Sequence, residues 1–351
     1  MGQLDKNKFM IVHADCVPVK GYKRSCIYDL TRRRHYFVPN SLADILVNYD
    51  GLKIEKLYQD YDYSPILDEY FQFLLQNEII HQADKWELKH FPKIVLDWKT
   101  PSKITTAVID MAGSNNFKTN GLSTKLDDLG VMHLQIRHLN EGKFDFLTDL
   151  LLELKDTRLK SIELILPFYP NYIDLSRSIT KINRKVLLIY FYSAPEVKNV
   201  FKKDLPKIIL TKDLEKSLHT QKSPNPKYFS VNMQLYMESI HHNTFYNRKI
   251  FIDRHGNLKN TLFGTSNFGH IDLIDISATV NSKDFQKYWL ASKDETTVCR
   301  DCEFRYMCTD QRVPEKTKEY WTHDTPCRYD PYSTTWVQVK GLDKSGFKIK
   351  L

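Results

Sequence analysis

Apolar and polar positions follow three different rhythms along the chain. Over 1–95, Phe9-Met-Ile-Val and Ser25-Cys-Ile-Tyr-Asp-Leu read as short β runs joined by a polar turn around Lys20-Gly21. Helical spacing follows. Leu42, Ile45 and Leu46 share a face after a cap at Asn40 or Ser41, with Gly51 placed to end the helix. Ile54 to Tyr58 form a second helical pattern, and Ile66, Leu67, Tyr70, Phe71, Leu74 and Leu75 a third after Ser64-Pro65. Glu78 to His81 and Trp86 to Leu88 complete the stretch as a closing β wing. Two strands, three helices and a wing make a winged-helix-like domain.

Over 96–222 the rhythm changes to continuous apolar runs alternating with helical patterns. Strands are expected at 104–111, 131–136, 161–166, 186–192 and 207–210, and helices at 122–129, 144–154, 173–182 and, briefly, 196–202. Strands that are apolar throughout are buried on both faces, as in a parallel sheet covered by helices. The stretch is too short for the roughly 250 residues of a closed eight-fold barrel, so a partial (β/α) barrel is expected. From 223 to 351 the chain is loop-rich, with short strands at 249–253 and 272–276. A lysine-bearing tail beyond Val337 is expected to fray. The fold class is α/β in three parts.

Composition narrows the function. Gly 12 against Tyr 20 and Phe 19 speaks against both disorder and a glycine-loop nucleotide enzyme. A formal charge of +8 suits an acidic partner, including an acidic peptide, whereas DNA binding needs the charge gathered on one face. No signal-like N-terminus and no apolar run near ~18 residues is present, which points to a cytoplasmic protein without a membrane partner. No phosphate-loop, GxSxG or HExxH motif occurs.

The chemistry lies in cysteines. Cys299-Arg-Asp-Cys302 is a Cys-x2-Cys knuckle, with Cys308 after five intervening residues and Cys327 after eighteen more. Four thiolates in two pieces can hold a tetrahedral zinc or a cubane iron–sulfur cluster, and the spacing alone does not choose between them. Arg300, Arg305 and Arg312 would offset thiolate charge, and Trp289 and Trp321 are expected to shield the centre. His323 and Asp324 lie near enough in sequence to touch it. Cys16 and Cys26 read as small buried hydrophobes, and His241, His242 and His255 as surface or packing residues.

The run from Cys299 to Pro314, with Cys327-Arg-Tyr-Asp-Pro-Tyr and the upstream Asn232–Ser239, Asn243 and Asn247–Asn260, resembles a SPASM domain. This is the auxiliary-cluster module of radical SAM peptide maturases, and the likeness is to the maturases of grasp-with-spasm systems. The resemblance implies a 4Fe-4S cluster on Cys299, Cys302, Cys308 and Cys327. It implies one cluster, not two, because Arg312 stands where a ligand of the other would be. It also implies a degenerate radical SAM core: Ala112–Lys118, after the first strand, has no cysteine for the Cys-x3-Cys-x2-Cys motif, so no S-adenosylmethionine is expected.

The N-terminal unit resembles the precursor-recognition element of peptide-modifying enzymes, which captures a leader peptide by β-augmentation. The groove would lie between Cys26–Leu30 and Pro65–Leu75, lined by Cys26, Ile27, Tyr28, Leu30, Leu67 and Phe71. Arg32, Arg33 and Arg34 would favour acidic leader residues. The implied role is an accessory maturation protein for a ribosomally made peptide, with the precursor leader and an ATP-grasp ligase as partners, a homo-oligomer left open, and nucleic acid not expected. The alternatives are a catalytically active peptide-modifying enzyme and a zinc-ribbon module for nucleic acid or protein.

Overall fold

The computed structural model describes residues 4–97, 99–111, 121–139 and 145–337. The Ala112–Lys118 segment and the tail from 338 lie outside the described residues. In the N-terminal part, β1 (Phe9–Val12), β2 (Cys16–Lys20), β3 (Ser25–Asp29) and β4 (Arg34–Val38) precede α1 (Asn40–Asn48), α2 (Ile54–Asp60), α3 (Ile66–Gln76) and β5 (Ile80–Ala83). The helices form where spacing places them: α3 buries Leu67, Phe71 and Leu74 along one side.

The strand pairing differs from the expected hairpin. β1 pairs antiparallel with β5, while β2, β3 and β4 form a separate antiparallel sheet with β3 in the centre. Pro18 makes β2 a poor central strand, but on an edge its missing N–H leaves no ladder bond unmade. The second strand of the wing is not formed, because Glu87 closes a tight turn on Asp84 and a 3-10 turn follows at Leu88–His90.

The second part is an eight-stranded sheet with the order β10-β11-β9-β8-β7-β6-β12-β13. Its strands are β6 (Thr106–Met111), β7 (His133–His138), β8 (Ser161–Pro167), β9 (Val186–Tyr192), β10 (Lys198–Val200), β11 (Lys207–Leu210), β12 (Lys249–Ile252) and β13 (Leu258–Lys259). Helices α4 (Leu122–Asp128), α5 (Asp145–Glu153) and α6 (Tyr172–Ile182) provide the crossovers. β6 to β9, β11 and β12 run parallel; β10 and β13 are antiparallel edges.

Two sequence expectations change here. The short helix at 196–202 is the edge strand β10, which turns back on β11. The strand at 272–276 is a turn leading into α8 (Ile276–Val280), because the Asp275 carboxylate accepts from Ala278 N at 3.0 Å and starts a helix. The change of texture near Lys222 is no spatial boundary either, since β12 lies beside β6 at the heart of the sheet.

Three apolar cores result. One fills the β/α sheet. A second lies between the helices and one face of the N-terminal sheet, taking Cys16, Ile27 and Val38. The third joins the opposite face, with Val19, Cys26 and Tyr28, to Phe304, Met307 and Tyr329 near the end of the chain and to Tyr236 of α7 (Met233–His241). The N-terminal sheet is thus packed between its own helices and the cysteine region.

Candidate metal centre

Cys299 opens a 3-10 turn whose entry residue, Val298, sits in the left-handed region (φ 66°). The Cys302 amide donates back to Cys299 O at 3.0 Å, and a second turn, Met307 N to Phe304 O, carries the chain to Cys308. Cys327 comes from the segment just before β16 (Tyr329–Asp330), which pairs with β17 (Thr335–Trp336). All four cysteines are free thiols and line one cavity with Pro224, Phe229, Phe304, Tyr329, Pro331 and Trp336. Two of the sulfurs receive the same local bond: the amides of Phe304 and Tyr329, each two residues on, donate to Cys302 and Cys327 Sγ at 3.4 Å. Four thiols lining one cavity, with aromatic walls and amides aimed at two of the sulfurs, suit a thiolate-bound centre wider than a single ion, since among the described residues no three of these sulfurs lie within 4.8 Å of one another.

A buried charge cluster adjoins the thiols. Asp310, 1% exposed, takes Lys293 Nζ at 3.0 Å and the Arg312 guanidinium at 2.6 Å, and His323 Nε2 stands 3.3 Å away. Lys293 also reaches Cys299 Sγ at 4.0 Å. Burial would raise the Asp310 carboxyl, but Lys293 and Arg312 overcome it and hold the group well below the usual carboxylate range. Burial pushes the Cys302 and Cys308 thiols up, and Lys293 opposes the same effect at Cys299. Thiols so placed ionise when a cation binds them. Cys299, Asp310 and His323 also bring ligand-capable atoms within 4.8 Å of one another. Asp310 is already held by two cations there, which suits a counter-ion better than a ligand.

The N-terminal sheet forms the outer wall of the centre. Tyr28 Oη donates to Glu303 O at 2.7 Å, Tyr22 N to Asp301 O at 2.7 Å, and Arg305 Nη1 to Lys20 O at 2.6 Å. Glu303, fully buried, accepts from Arg24 Nε at 2.7 Å and Tyr329 Oη at 2.5 Å. Gly21 is required by this closeness: a Cβ there would meet Arg24 O at 2.5 Å and Glu303 N at 2.9 Å.

Other expected residues fall elsewhere. Trp289 and Trp321 belong to the core of the β/α sheet, and the rings around the thiols are Phe229, Phe304, Tyr329 and Trp336. Arg305 and Arg312 line the cavity with Asp294 and Asp310 as counter-ions, whereas Arg300 is exposed. Cys16 and Cys26 are buried on opposite faces of the sheet, the Cys16 thiol pushed up to about 12 by burial. Lys293, Asp310 and Glu303 were not singled out from sequence, because nothing in the spacing of a lone charged residue shows that it will be buried.

The expected peptide groove is corrected by the pairing. Both edges of β3 are taken by β2 and β4, so no strand can be added there. Cys26, Ile27, Tyr28, Leu30, Leu67 and Phe71 are all buried in the cores. Arg32 is paired with Asp29 at 3.3 Å and with Glu78; Arg33 and Arg34 are exposed. Among the described residues no strand pairs with the outer edge of β4, where Tyr36 meets Phe73 of α3 edge to face at 5.9 Å.

No protein-family model matches the sequence, and no curated protein matches it. Among solved structures it is similar to SuiB of Streptococcus suis. The form bound to S-adenosylmethionine gives 10% identity and a TM-score of 0.38 over 90% of this chain and 99% of that one. The form bound to the precursor peptide SuiA gives 10% and 0.38 over 91% and 100%. Likeness at this level does not place the chain in a family. Among the described residues no helix is long and apolar enough to cross a membrane.

Proposed function

We propose that this protein is a maturation factor for a ribosomally made, modified peptide, holding one 4Fe-4S cluster on Cys299, Cys302, Cys308 and Cys327. The observation that carries the reading is the joining of that thiol cavity, through one apolar core, to a small sheet whose β4 edge pairs with no other strand among the described residues. An extended leader peptide adds to β4 alongside α3, its acidic residues facing Arg33 and Arg34. The β/α sheet serves as scaffold, and an ATP-grasp ligase is the partner that forms the peptide's links. The cluster ties the knuckle to the segment around Cys327, and four thiolate ligands leave it structural. Lys293 and Arg312 offset its negative charge, Asp310 holds both cations in place, and the aromatic wall excludes water.

Anaerobic purification tests the cofactor: a brown protein with broad absorption near roughly 400 nm is expected, and a colourless protein with one zinc ion would overturn the cluster. Titration with an extended acidic peptide tests the partner. Binding should weaken about tenfold in the Arg33→Glu, Arg34→Glu double variant, and unchanged affinity would remove the β4 edge from the reading.

A further inference from the structure

Against one face of the large sheet lies a cavity of about 400 Å³, in a different core from the thiol centre. Register aligns its lining in rows across adjacent strands. Lys249, Thr106, His133 and Ser161 form the first row; Phe251, Val108, Gln135 and Glu163 form the second. Segment 217–222 closes over the rows, together with Phe245 and Leu262.

Most polar groups in these rows are already matched. His133 Nδ1 and Ser161 Oγ are 2.8 Å apart at the exposed mouth, and Gln135 donates to Glu163 at 3.1 Å. Arg137, one row deeper, is spent on Asp110 through two 2.6 Å bonds and on Leu218 O. Lys249 is the exception. Its ammonium lies 3.8 Å over the Phe245 ring, and among the described residues no carboxylate stands within ion-pair distance. Glu163 and Glu238 are its acidic neighbours and favour its charge from a distance, but neither forms an ion pair with it; their carboxylates accept from Gln135 and Asn247 respectively. Burial pushes Lys249 down to about 8. A buried cation whose acidic neighbours do not touch it is incompletely compensated, and an anion that pairs with it directly is favoured.

We propose that this cavity binds a small monocarboxylic acid with an apolar body. Its carboxylate sits on Lys249 and Thr106, and its body lies against Phe251, Val108 and Leu262. Glu163, in the next row, repels a second carboxylate, so diacids are excluded. The site is independent of the maturation reading and stands or falls apart from it.

Calorimetric titration of the full chain with phenylacetate, phenylacetamide and phenylmalonate tests the proposal. Phenylacetate should bind saturably, with the neutral amide and the diacid each at least about tenfold weaker. Lys249→Met should abolish that preference with little change in Tm, since burial of the ammonium outweighs the help it receives from its acidic neighbours. If that variant fails to fold, Thr106→Val should still weaken phenylacetate alone. Equal binding of acid and amide, no saturable binding, or unchanged affinity in the variants would overturn it.

Discussion

At Asp310 a single carboxylate keeps two buried cations beside four thiols. Asp310→Asn keeps the shape and removes the charge, leaving Lys293 and Arg312 uncompensated. A loss of about 3–5 kcal/mol is expected in denaturant unfolding, together with lower metal content. Unchanged values would mean that the two cations find other partners. Gly21 is the second sensitive position. Gly21→Ala must push the β2–β3 turn away from the knuckle, because the contacts at 2.5 and 2.9 Å are with backbone atoms that cannot swing aside. A cost on the order of 1–3 kcal/mol is expected. It should be accompanied by more intense Trp336 fluorescence change on unfolding of this corner than in the parent, measured with the other tryptophans replaced.

At the scale of elements, helices and parallel strands were legible because their signals are local. The spacing of Leu67, Phe71 and Leu74 specifies α3 wherever the helix docks, and continuous apolar runs specify β6 to β9. Phe71→Ala should therefore cost about 3–5 kcal/mol and melt the helical core first, seen as early loss of the α1–α3 amides in hydrogen exchange. Strand partners were not legible. β1 finds β5 across the whole helical segment, and the three-residue β10 reads as a helix until β11 is beside it. Pairing is decided by the edges available in space, which one strand's residues do not encode.

Across the molecule, the thiol centre and the N-terminal sheet form one unit. Bonds from Tyr28 and Arg305 link residues 275 and 285 positions apart. Removing the proposed metal with a chelator, or replacing Cys302 with Ser, should raise hydrogen exchange in β2 and β3 while leaving β6 to β9 protected. Equal loosening of both sheets would show that the cores are not independent. The same coupling predicts that the proposed leader binding at β4 slows loss of the proposed metal to a chelator, since a pairing that orders the sheet also orders the wall of the centre.

The sequence by itself determined helices α1 to α6, the parallel β/α alternation and the four candidate ligands, because periodicity and cysteine spacing are short-range. Only the tertiary structure decided that β3 is a central strand and that β12 returns from beyond Lys222 to join the sheet. It also decided that Lys293 and Asp310 are buried beside the thiols and that Lys249 faces a cavity with no acid in contact among the described residues. Each of these depends on which distant surfaces exclude water from a residue, and that is settled by packing between segments rather than within them.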